Sequence, residues 1–81
     1  MKNKDLAKYY LNPEAVKKCR FNADLTQQEL AVMLELTQSY YNGIENGHIP
    51  IKEVHLENLI KILAGLGIKA TKKKLAIKED E

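Results

Sequence analysis

Apolar residues recur at helical intervals along most of the chain. Leu30 and Leu34 lie four apart and Tyr41 and Ile44 three apart, while Leu56, Leu59, Ile60 and Leu63 follow i, i+3, i+4, i+7. Polar residues at the breaks place the helix starts. Asn12 can cap, Pro13 fits a first helical position and Glu14 complements the positive end, so the first helix is expected over 13–23. Thr26 and Glu29 make a T-x-x-E capping box, which starts the second helix at Gln27 and carries it to about Leu34. Thr37 caps a third, from Gln38 to about Asn46, and Gly47 stops it. "HIPIKEV" reads as a loop, because Pro50 lacks an N–H and biases Ile49 away from helix. The fourth helix ends near Gly65 or Gly67.

The two ends carry weaker patterns. Leu6, Tyr9 and Tyr10 suit a short amphipathic turn packed on the body. Near the other end, Ile68 and Ala70, then Leu75 and Ile77, alternate as in a strand, with three lysines between. A lone strand leaves its backbone groups unpaired, so its expected partner is its own copy in a dimer. The chain thus divides into an N-terminal extension (1–11), a helical domain (12–68) and a charged tail (69–81) that offers a dimerisation strand.

The segment from Gln27 to Asn46 forms a unit. Leu30 and Leu34 share one face of the second helix, Tyr41 and Ile44 one face of the third, and Leu36 fills the bend. Ala31 is small enough for the two helices to cross closely. These are the requirements of a rigid helix-turn-helix whose second helix projects from the body. The projecting side, with Gln38, Ser39 and Asn42, is polar and carries no Lys or Arg.

Composition bounds the function. A chain of 81 residues is one small domain, able to bury about 60% of its unfolded surface, so subunit association is a natural supplement. The net charge of +2 is small. Its distribution says more: Lys2, Lys4, Lys8, Lys17, Lys18 and Arg20 dominate the first quarter, Lys72, Lys73 and Lys74 cluster late, and "KEDE" closes with acid. Basic flanks around a near-neutral middle suit a backbone-binding surface, and equally plain solubility. No apolar run is long enough to cross a membrane, and none follows the basic N-terminus as in a secretory signal, so a cytoplasmic protein is expected. Cys19, alone and in helical register with Val16, reads as a small buried hydrophobe. His48 and His55 lack a suitably spaced third ligand, and no catalytic triad or glycine-rich phosphate loop stands out. Neither a metal, a cofactor nor an enzymatic activity is expected.

"LTQQELA", "TQSYYNGIENG" and "NLIKILAGLGI" together resemble the lambda-repressor/Cro-type helix-turn-helix family, over roughly Val16 to Ile68. The resemblance implies an all-α fold, a compact four- to five-helix bundle, with room for a short C-terminal strand or extended tail. It also implies a prokaryotic or phage DNA-binding regulator. Residue by residue, Gln38 matches the first base-reading position, where an amide can pair with adenine N7 and N6. Ser39, Asn42 and Gly43 share its outward side. Gln27 matches a phosphate-contacting position. Thr37, Tyr40, Asn46 and His48 would lie along the DNA backbone. Arg20 and Glu45 match an ion pair between the first and third helices, and Leu30, Ala31, Leu34, Leu36, Tyr41 and Ile44 match the core.

Several positions depart from the family pattern. Glu35 replaces a glycine that usually turns left-handed, at a cost of roughly 1 kcal/mol if that conformation is kept. Gly43, inside the recognition helix, loses ~1 kcal/mol relative to Ala; it either lets the backbone approach DNA or is a tolerated weak spot. The "HIPIKEV" loop is longer than usual. Val32 and Met33 replace charged residues, which points to a further buried contact: a subunit, a regulatory protein, or a shield formed by Tyr9 and Tyr10. The leading expectation is a sequence-specific transcriptional regulator, a homodimeric repressor reading an inverted repeat in double-stranded DNA. The alternatives are an antitoxin that binds a toxin and its own operator, and an interaction domain that does not bind DNA.

Overall fold

The computed structural model describes residues 7–78. In chain order its elements are β1 (Ala7–Leu11), α1 (Pro13–Asn22), α2 (Gln27–Met33), α3 (Gln38–Glu45), β2 (Ile51–Lys52), α4 (Glu53–Gly65), α5 (Lys72–Leu75) and β3 (Ala76–Lys78). Leu6, Lys2, Lys4 and the closing acids Glu79, Asp80 and Glu81, all used in the sequence reading, lie outside the described residues.

The helix starts follow the capping chemistry. Asn12 Oδ1 accepts from the Glu14 and Ala15 amides at 3.1 and 3.4 Å. Thr26 Oγ1 accepts from the Glu29 amide at 3.1 Å, and Glu29 Oε1 returns the contact to the Thr26 amide at 2.9 Å, completing the capping box. Thr37 Oγ1 accepts from the Tyr40 amide. The helix ends share one device. After α1, α2, α3 and α4 a residue at positive φ is followed by an amide that reaches back five residues to a carbonyl: Leu25 to Arg20, Leu36 to Ala31, His48 to Gly43 and Ile68 to Leu63. Glycine fills that left-handed position after α3 (Gly47) and α4 (Gly67). Around α2 it is filled by Asp24 and Glu35, at φ 61° and 62°. The strain expected at Glu35 is therefore present.

The fold is mostly helical but not all-α. A three-stranded antiparallel sheet, in the order β2-β1-β3, packs with the helices. β1 is central; it pairs Ala7 with Lys52 and Tyr9 with Ile51 on one side, across a bulge, and Tyr10 with Ile77 and Leu11 with Ala76 on the other. Three expectations change accordingly. Tyr9 and Tyr10 lie on a strand rather than an amphipathic turn, and Val32 and Met33 remain exposed, without the expected shield. Part of "HIPIKEV" is the strand β2. Of the alternating tail only Ala76–Lys78 forms a strand, since Lys72–Leu75 is the short helix α5 and 68–70 is neither, and β3 pairs with β1 of its own chain. These strands are two to five residues long and their partners are far away in sequence, so no local period announces them. The sheet and α5 complete the core: Leu11 of β1, Ile51 of β2 and Leu75 of α5 are as deeply buried as Leu30, Ile44, Leu56, Leu59 and Leu63.

Candidate nucleic-acid interface

Helix α3 has two contrasting sides. Tyr41, Ile44 and Glu45 are fully enclosed, while Gln38, Ser39 and Asn42 are exposed. Tyr41 and Ile44 join Leu30, Ala31 and Leu34 of the α2 region in one core cluster, with Leu36 partly buried against it. A glutamate at 0% exposure needs strong compensation, and Arg20 supplies it. Its Nε donates to Glu45 Oε1 at 2.9 Å and its NH2 to Oε2 at 3.0 Å, a bidentate pair between α1 and α3. A third donor, NH1, reaches the Leu25 carbonyl at 3.0 Å. The same guanidinium stacks over the exposed Phe21 ring, 4.9 Å from its centroid. Arg20 thus holds α1, the α1–α2 link and α3 in one geometry.

Burial opposes ionisation of Glu45. Hydrogen bonds from Arg20 and Gln27, the nearby Tyr41 hydroxyl and the guanidinium charge outweigh it and hold the carboxyl below its ordinary value. The Tyr41 phenol is pushed well above its usual range, first by burial and then by the neighbouring Glu45 charge. Its hydroxyl is buried with no partner at strict hydrogen-bonding geometry, so Glu45 acts on it chiefly through its field.

A line of side-chain amides runs from this buried carboxylate to the surface. Gln27 Nε2 donates to Glu45 Oε2 at 3.2 Å. Asn42 Nδ2 donates to Gln27 Oε1 at 2.9 Å, and Asn46 Nδ2 donates to Asn42 Oδ1 at 2.9 Å. Gln27 also lines a shallow cleft of about 570 Å³ with Phe21, Asp24, Thr26, Gln28 and Gln38. Gln38 and Ser39 are exposed, and Thr37 is committed to capping. Tyr40 is half-buried and packs against the core. His48 is exposed just past the helix end.

At Gly43 the structure gives a packing reason for glycine that the sequence reading did not name. A Cβ there would collide with Ile49 Cδ1 and lie 2.9 Å from its Cγ1, and the Gly43 carbonyl accepts from the His48 and Ile49 amides. The glycine seats the loop after α3. The sequence signal was Ile49 beside Pro50, an apolar residue in a loop with no core partner assigned.

A family model described as helix-turn-helix matches residues 16–73. The chain belongs to the lambda-repressor/Cro-type helix-turn-helix family. Members of this family are DNA-binding transcriptional regulators. Among curated proteins, "Control protein C.MunI" from a Mycoplasma species is 49% identical to this helix-turn-helix chain over 45 residues. That alignment covers 56% of this chain and 57% of the relative, so the chain spans little more than half of the relative's length. Among the described residues no group of three His, Cys, Asp or Glu is placed to hold a metal, and no helix is long and apolar enough to cross a membrane.

Proposed function

We propose that this helix-turn-helix protein regulates transcription by reading a specific double-stranded DNA sequence with the outward side of α3. One observation carries the reading: Gln38, Ser39 and Asn42 are exposed on a helix whose opposite side is fixed by three fully buried residues, Tyr41, Ile44 and Glu45. A stiff, uncharged, hydrogen-bonding surface suits base edges in the major groove, while charge contacts with phosphates come from elsewhere. Gln38 and Ser39 are the base readers, joined by Asn42. Gln27 keeps one amide N–H for a phosphate, and Thr37, Tyr40, Asn46 and His48 lie along the backbone path. The relative's description as a control protein accords with a regulatory role.

The small net charge and a recognition helix without Lys or Arg favour a homodimer over a monomer. Two subunits would read an inverted repeat with half-sites about 34 Å apart. Repression by steric exclusion of polymerase is the simplest mechanism, and the cytoplasm is its setting. One surface favours a protein partner as well: Val32 and Met33 are 67% and 45% exposed and line a groove with Leu25, Thr26, Gln28 and Glu29. A toxin neutralised by an antitoxin, or a regulatory protein, would fit there.

Selection from random duplex DNA, repeated with Gln38→Ala, tests the primary reading. The variant should lose about 1–3 kcal/mol of discrimination at the base pair facing Gln38, with non-specific affinity nearly intact. Equal loss on random DNA contradicts the assignment.

A further inference from the structure

We propose that buried Glu45 sets the orientation of the exposed Asn42 amide through Gln27, which makes Gln27 a positioning residue for base recognition rather than chiefly a phosphate contact. The inference rests on the reading of α3 as the groove-facing helix.

The geometry is directional. An ionised carboxylate only accepts hydrogen bonds. Arg20 occupies both Glu45 oxygens from one side, so the 3.2 Å contact with Gln27 requires the Gln27 NH2 end to face Glu45. The Gln27 carbonyl must then point away, where it meets Asn42 Nδ2 at 2.9 Å. This fixes the Asn42 carbonyl on its other side, where Asn46 Nδ2 donates at 2.9 Å. An isolated asparagine amide can flip end for end and offer its donor and acceptor in either order. Here a flip at Asn42 would set NH2 against NH2 at Asn46 and oxygen against oxygen at Gln27. The relay therefore presents one donor–acceptor order to solvent: one Asn42 N–H and one lone pair of its Oδ1 remain for a ligand. Gln38 has no part in the relay, so its amide adapts to the base it meets.

The test is a double-mutant cycle on the full chain with Gln27→Met, which keeps side-chain length without polar ends, and Asn42→Ala. Each protein is scored against a randomised duplex library, and the side-chain NH2 resonances of free protein are recorded by NMR. Gln27→Met should lower base discrimination about tenfold at the position read by Asn42. Discrimination at the Gln38 position should be unchanged. Adding Gln27→Met to Asn42→Ala should change base discrimination no further. In free protein, Gln27→Met should shift the Asn46 NH2 pair, which Gln27 does not touch. A loss from Gln27→Met that is uniform over all sequences and additive with Asn42→Ala overturns the positioning role in favour of a phosphate contact. Unmoved Asn46 resonances overturn the relay itself. If Gln38→Ala and Asn42→Ala both leave the selected sequences and affinities unaltered, the groove-reading assignment fails, and the specificity role fails with it.

Discussion

Two ion pairs of nearly equal length tie distant parts of the chain together. Arg20 meets Glu45 at 2.9 Å between α1 and α3; Lys72 meets Glu53 at 3.0 Å, joining α5 to the start of α4 beside the sheet. Distance does not rank them. The first is enclosed, with side chains 10% and 0% exposed, and is bidentate; the second leaves its lysine 41% exposed on a single contact. A buried charge that loses its partner has no water to turn to, whereas an exposed ammonium does. The Arg20–Glu45 junction can therefore fix the recognition helix. The Lys72–Glu53 contact, shared with the Tyr9 ring 5.7 Å away, decorates a sheet held by its apolar residues.

The largest effect should come from breaking the first pair. Glu45→Ala leaves Arg20 buried and unpaired, at an expected cost of about 3–5 kcal/mol, read from the urea midpoint; an unchanged midpoint would place the two pairs on a par. Acid probes the same junction without mutation. The folded Glu45 pKa lies below its ordinary 4.5, so its contribution is fully present above the unfolded value and lost as pH falls through the folded one. Stability should be flat from Glu45's side near neutrality and decline below about pH 4.5. In Glu45→Gln that part of the decline should vanish. A smaller change concerns the turn that sets α2 against α3. Glu35→Gly relieves a left-handed residue and should stabilise by about 1 kcal/mol, provided the positive φ is kept. A loss would mean that the Glu35 side chain contributes something its geometry does not show. Last comes Lys72→Met, which should barely move the midpoint. The Lys72 pKa is raised, first by its hydrogen bond to Glu53, yet water replaces that partner readily. A loss comparable to that of Glu45→Ala would erase the contrast between the pairs.

What could be read in the chain divides along similar lines. Capping residues act within three positions, so Asn12, the Thr26–Glu29 box and Thr37 announced their helices directly. Glu35 announced its strain only through the family pattern, by standing where a glycine usually takes a left-handed turn. Arg20 with Glu45 was visible only through the family pattern, because no local rule links residues 25 apart. The sheet, with the short helix α5 that leads into it, was hidden for a related reason: Leu11, Ile51 and Leu75 become core only once three remote segments meet. The amide relay was half visible. Asn42 and Asn46 stand one helical turn apart, but the bond to Gln27 depends on how α2 and α3 cross. Gly43 looked like a surface feature until Ile49 was placed against it.

The central claim is that α3, held from inside by Tyr41, Ile44 and Glu45, offers its outward face to the major groove. Chemical-shift mapping of the labelled protein against a duplex recovered by selection tests it most directly. The largest shifts are expected at the backbone amides of Gln38 to Asn42 and at the Gln38 side-chain NH2, with α4 little changed. Shifts centred on α4 or the sheet, with α3 unmoved at saturation, would contradict it.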